Sequence, residues 1–148
     1  MEISLLARAH PLWEKTIAYA EKCPWKAGPF LAQMMKKNDF LPWERVIAAH
    51  DQETIMGFCT LTAKDEMPEH YAYTPFIGFV FVDEQYRGNR ISQRMIDGAA
   101  AYARSLGYQT IYLMSGEQGL YEKYGFEKIG DFPTVFGTVD QLFMKSIR

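Results

Sequence analysis

Two stretches of this 148-residue chain carry groups able to do chemistry. The first is the turn Arg87-Gly88-Asn89-Arg90-Ile91-Ser92, which follows an apolar run ending at Val82 and opens an amphipathic segment reaching Leu106. Where a strand delivers the chain into a helix, the first helical N–H groups have no intrahelical partner and the helix dipole adds partial positive charge, so the turn binds anions. With Arg87, Arg90 and Arg94 around it, the turn has the character of a phosphate site. The second stretch is Leu120-Tyr121-Glu122-Lys123-Tyr124-Gly125-Phe126, with two phenolic hydroxyls three residues apart. A tyrosine hydroxyl can donate a proton to a leaving group, or it can simply be the hydrogen-bonded tip of a core ring. Asp65, Glu66, Glu69 and His70, in a polar loop, are candidate proton acceptors, although each taken singly reads first as a solvated loop residue.

The elements that must position these groups follow from periodicity. Residues 2–8 suit a first strand, and Leu12, Ile17, Tyr19 and Ala20 share one face of a helix that Pro11 opens and Pro24 ends. A second short helix is expected over 30–40, after the Gly28-Pro29 punctuation. Residues 44–50 and 54–63 read as two strands of an antiparallel hairpin around Asp51-Gln52-Glu53. Phe76 to Val82 shows little polar alternation, as in a central strand buried on both faces. Ile91, Met95, Ala99, Tyr102, Ala103 and Leu106 keep helical spacing, with Asn89 or Ser92 as candidate N-cap and Gly107 as the residue beyond the C-cap. A strand over 110–115, a short helix closed by Gly125, a strand over 126–132 and a last strand over 139–147 complete the pattern. The expectation is an α+β fold, a mixed, mostly antiparallel central sheet with helices on both faces, forming a single domain over 1–148.

Composition narrows the function classes. A net charge of −2 argues against a nucleic-acid binder, which would usually show a basic face. Cys23 and Cys59 lie far apart with no zinc spacing, so two reduced, buried thiols and no metal site are expected. The first residues carry an acid at Glu2 and no long apolar core, and no run approaches the ~20 apolar residues of a membrane span. The expected location is the cytoplasm.

The turn and the Leu120–Phe126 segment together resemble the GNAT family of N-acetyltransferases, whose turn fingerprint is Q/R-x-x-G-x-G/A. Here it reads Gln85-Tyr86-Arg87-Gly88-Asn89-Arg90, and the resemblance runs over residues 76–130. It implies acetyl-CoA as acetyl donor, with its pyrophosphate on Arg87, Gly88, Asn89, Arg90, Ile91 and Ser92. By the same likeness, backbone groups of Phe81 and Val82 would pair with the pantetheine arm and polarise the thioester carbonyl. Tyr121 would be the acid that protonates the departing thiolate, with Tyr124 its competitor, and Ser115 would contact pantetheine. Three departures stand out: Arg90 occupies a glycine or alanine position, Ser92 replaces a common glycine, and the loop Ser115-Gly116-Glu117-Gln118-Gly119 carries no asparagine. Arg90 is expected to project outward and add a charged contact, on the ground that a first helical turn needs no positive φ there.

The function so implied is direct attack of a primary amine, on a small molecule or protein, on acetyl-CoA. Trp13, Trp25, Phe30, Phe40 and Trp43 are expected to divide between helix packing and a wall for a cationic amine. The alternative is a CoA-binding sensor or interaction module with the same fold and no turnover. A dinucleotide-binding domain lacks GxGxxG after a first strand. The partner expected is an amine, a small molecule before a protein, with neither nucleic acid nor membrane. A homodimer through the C-terminal strands is compatible with the pattern without being required by it.

Overall fold

The computed structural model describes all of residues 1–148. Strand β1 (Glu2–Leu6) leads into helices α1 (Trp13–Lys22) and α2 (Ala27–Lys36). Strands β2 (Arg45–Asp51), β3 (Thr54–Thr62) and β4 (Phe76–Val82) follow, then α3 (Ile91–Ser105) and β5 (Thr110–Ser115). The chain closes with α4 (Leu120–Lys123), β6 (Glu127–Pro133) and β7 (Val139–Ser146). All seven strands join one sheet in the order β1-β2-β3-β4-β5-β7-β6. Only β4 and β5 run parallel. This is the mixed, mostly antiparallel α+β sheet that the pattern predicts.

Period-two alternation sorts each strand between two cores. Ile47 and Ala49 of β2 and Cys59 and Leu61 of β3 pack under α3, against Ile91, Met95, Ile96, Ala99 and Ala103. Their neighbours Val46, Ala48 and Phe58 face the other way, against Trp13, Ile17 and Ala20 of α1 and Leu31, Ala32 and Met35 of α2. Fully burying one such large apolar side chain contributes about 1.5–3 kcal/mol, so these two faces fix which side of the sheet each helix occupies. The second helix starts earlier than expected, taking Gly28 and Pro29 into its first turn. A Cβ at Gly28 would lie 2.1 Å from the Cys23 sulfur and 2.6 Å from the Ala20 carbonyl oxygen. Glycine therefore lets α2 close on α1. Cys59 is buried, but Cys23 is half-buried beside this contact, which corrects the expectation of two buried thiols.

The functional geometry comes from two irregularities in β4. First, β4 pairs with β5 only at Phe76–Tyr112 and Ile77–Leu113, and beyond those pairs the strands part. Second, the β3–β4 register shifts between Phe58–Phe81 and Thr60–Gly78, so Phe79 and Val80 together face Cys59 as a β-bulge. Phe79 takes the left-handed conformation at φ 51. The expectation that this strand is buried on both faces holds for its first half; Phe79, Val80 and Val82 are only half-buried because the parting strands leave one side open.

Candidate active site

A cleft of about 1920 Å³ occupies the gap between β4 and β5 and continues over the α1–α2 face. Its walls include Ile77 to Val82 from β4, Leu113 to Ser115 from β5, the turn before α3, and Leu120, Tyr121 and Tyr124. The main chain of β4 supplies groups to this gap. Asp83 N–H donates to Met56 O at 2.9 Å, so Asp83 turns toward β3. By strand alternation Phe81 also pairs toward β3, whereas Val82, and Val80 across it, present their backbone groups to the open edge. The carbonyl of Val82 accepts a bond from Arg87 Nε at 3.1 Å. Of the two backbone candidates, Val82 therefore faces the gap and Phe81 contributes its ring.

The turn is shaped by two left-handed residues. Gly88 has φ 87 and Arg90 has φ 57, with Arg90 acting as the N-cap residue of α3 without a side-chain cap. This corrects two expectations. Arg90 does adopt positive φ, which explains why a small residue suits the position: a side chain there is strained by about 1–2 kcal/mol. Neither Asn89 nor Ser92 caps the helix. Asn89 instead donates to Tyr86 O at 3.0 Å and lies outside the cleft lining, while the Ser92 hydroxyl meets the Tyr124 hydroxyl at 2.7 Å. The first intrahelical bond is Arg94 N–H to Arg90 O, so the N–H groups of Ile91, Ser92 and Gln93 are the helix's unpartnered donors. Arg87, Arg90 and Lys123 line the same cleft. The Arg87 guanidinium also sits 6.0 Å over the Phe81 ring.

Tyr121 lies between these donors and the interior. Its ring is buried among Tyr124, Phe126 and Phe143. Burial raises the hydroxyl's pKa well above the usual tyrosine range, with further contributions from Glu117, Cys59 and Tyr124 and opposition from the Ser115 hydroxyl. The group is held protonated. Ser115 is placed by the loop after β5, where its hydroxyl accepts from Glu117 N–H at 3.0 Å. Gln141, a residue with no signal of its own in the sequence, ties that loop to β7 by donating to Ser115 O and Glu117 O at 3.1 and 2.9 Å.

The opposite end of the cleft is acidic. Asp65, Glu66 and Asp140 line it, whereas Glu69 and His70 are exposed and stand outside. Asp65 rests over Gly78 of β4: a Cβ there would sit 2.4 Å from Asp65 Oδ1. Burial pushes the Asp65 carboxyl up to about 6, against the backbone N–H of Glu66. Glu66 is pushed up to about 7 by burial first, then by the charge of Asp65 and by a hydrogen bond and charge from Asp140. Lys64 also reaches this region, but its ammonium is occupied by the carbonyls of Tyr71 and Tyr73. Of the five N-terminal aromatics, only Trp25 and Phe30 reach the cleft. Trp13 is buried with Phe40 stacked edge-on, and Trp43 packs on Tyr108. Phe79, Phe136 and Asp140 were invisible as site residues in the sequence, since a bulge inside an apolar run and an acid far along the chain leave no local mark.

Comparison with known proteins agrees with this fold. The model of the acetyltransferase (GNAT) family matches residues 7–126. Among solved structures, an aminoglycoside 6'-acetyltransferase type Ii is 24% identical at a TM-score of 0.77, covering 100% of this chain and 98% of its own. An aminoglycoside 6'-N-acetyltransferase complexed with coenzyme A is 20% identical (TM-score 0.74), and one from Enterococcus faecium is 22% identical (TM-score 0.75), each with 100% and 98% coverage. No curated protein sequence matches the chain.

Proposed function

This chain belongs to the GNAT family of acetyltransferases, and from that membership we propose that it moves the acetyl group of acetyl-CoA to a primary amine of a small molecule. The observation that carries the reading is the polarity of one continuous cleft. Cationic groups and free helix N–H donors stand at one end, carboxylates at the other, and an open strand edge with a buried tyrosine between them. A structural relative holding coenzyme A supports the donor, and relatives that are aminoglycoside acetyltransferases support a small-molecule amine.

In this reading the N–H groups of Ile91, Ser92 and Gln93 bind the pyrophosphate, with Arg87, Arg90 and Lys123 adding charge. The pantetheine arm lies in the gap between β4 and β5 and bonds to the unpaired edge of β4, as an added strand would. The Val80 or Val82 N–H polarises the thioester carbonyl and stabilises the oxyanion of the tetrahedral intermediate. The amine nitrogen forms its bond to the acetyl carbon, and the carbon–sulfur bond then breaks with its electron pair on sulfur. Tyr121 donates to that sulfur. Its raised pKa keeps the hydroxyl protonated at rest, its proton passes to the sulfur as the carbon–sulfur bond breaks, and the phenolate regains a proton from solvent. Asp65 and Glu66, poised near neutrality, hold the incoming ammonium and accept the proton the nitrogen releases.

Titration calorimetry with acetyl-CoA, followed by thiol-release assays with an amine panel, tests the reading. Binding in the micromolar range together with amine-dependent thiol release is expected. Binding without release for every amine would point to a CoA sensor, and no binding would remove the reading altogether.

A further inference from the structure

The bulge in β4 does more than open the cleft. Inserting one residue exchanges the faces of everything beyond it. Ile77 and Val80 both pack toward α3, and Phe79 and Phe81 are thereby turned to the α1–α2 side. A regular strand would have sent Phe79 and Phe81 under α3. Phe79 holds a conformation that is unfavourable for any residue but glycine, and such strain gathers at ligand sites.

What the bulge assembles is an aromatic wall along the α1–α2 side of the cleft, running from Phe79, next to the Gly78 on which Asp65 rests, to Phe81 under Arg87. Phe79 stacks on Phe30 with ring centroids 6.2 Å apart at 17°, and Trp25 stacks on Phe81 at 5.8 Å and 7°. Trp25 also meets Phe79 edge-on at 6.3 Å. The wall does not close into a core, for Phe30 is 59% exposed and Trp25 36%. Phe136 belongs to the same cleft and is 68% exposed. Its loop is tied to the acidic loop by the Val135 N–H, which donates to Glu66 O at 2.7 Å.

We propose that the acceptor is an arylalkylamine: a flat aromatic body that lies against Phe30, Phe79 and Phe136, joined by a short chain to an amine that enters among Asp65, Glu66 and Asp140. The inference rests on the acetyl-transfer reading above. Aromatic surface left open to water inside a cleft is complementary to a flat apolar ligand, and a few carboxylates fix its orientation. A polyhydroxylated amine would be poorly served, because rings cannot pair its hydroxyls and their desolvation would go uncompensated.

Steady-state kinetics at saturating acetyl-CoA would compare phenethylamine and tryptamine with spermidine and the amino sugar kanamycin. The arylalkylamines are expected to show the higher kcat/KM by about tenfold or more, the scale of one good aromatic contact. Phe30→Ala and Phe136→Ala, both at open positions, are expected to raise the arylalkylamine KM with acetyl-CoA affinity unchanged by calorimetry. Preference for kanamycin or spermidine, or an unchanged KM in both variants, overturns the aromatic acceptor and leaves acetyl transfer standing. Absence of acetyl-CoA binding in the parent protein removes the transfer reading and this inference with it.

Discussion

The Ser92 hydroxyl lies 2.7 Å from the Tyr124 hydroxyl, joining the first turn of α3 to the end of α4. Tyr124 is anchored from its other side by Lys145 Nζ, which donates to its carbonyl at 2.7 Å. The turn that carries the free N–H donors and the helix that carries Tyr121 are thus held as one unit. Tyr124→Phe and Ser92→Ala are each expected to weaken acetyl-CoA binding by about three- to tenfold, the range of one hydrogen bond. The double variant should be no worse than either single one, because both remove the same bond. Additive losses in calorimetry would show that the two hydroxyls act independently.

Tyr121→Phe keeps every ring contact with Tyr124, Phe126 and Phe143. Thermal stability should stay within a few degrees of the parent, while kcat falls about a hundredfold, as for loss of a positioned acid. A variant with parental kcat in single-turnover measurements would exclude this hydroxyl from the chemistry.

Arg90 combines a strained backbone with a useful charge, and the two can be separated. Arg90→Gly relieves the left-handed strain and is expected to raise stability by about 1 kcal/mol, or a few degrees in Tm. The same change removes a cation from the turn, so acetyl-CoA affinity should drop several-fold and depend less steeply on salt. Tighter binding by the glycine variant would mean that the side chain obstructs the phosphates.

Glu66 makes stability depend on pH in the direction opposite to a salt-bridged acid. Its folded value of about 7 exceeds its ordinary value of 4.5, so the folded state holds the proton more tightly than the unfolded chain. The stabilisation from protonation is complete below the ordinary value and is lost as pH rises through about 7. Glu66→Gln lacks this loss. Denaturant curves should show the variant equal to the parent near ~pH 4 and ahead by about 1 kcal/mol near ~pH 8, the full shift being discounted because the side chain is half-exposed. A constant difference at both pH values would rule out the titration.

Gly78 makes room for Asp65, and adding one methyl group tests the seat. Gly78→Ala places a Cβ 2.4 Å from Oδ1 and 2.7 Å from Cγ of Asp65, so the carboxylate must move. The amine KM is expected to rise about tenfold while acetyl-CoA affinity is kept. An unchanged amine KM would take Asp65 out of the acceptor site.

The sequence by itself determined the elements and their order, because helix and strand periods, prolines and capping glycines act within a few residues of themselves. It also marked the Arg87–Ser92 turn and Tyr121 as candidates, since each lies within one short segment that carries the family resemblance. Only the tertiary structure decided the register shift that turns Phe79 out of an unbroken apolar run, for a bulge is defined by the partner strand and not by its own residues. It also decided that Arg90, the residue that caps α3, is left-handed. The meeting of Glu66 with Asp140 belongs to the same class. Those residues lie on separate loops and strands, and the free energy that unites them is the burial of the two sheet faces, a property of the whole sheet.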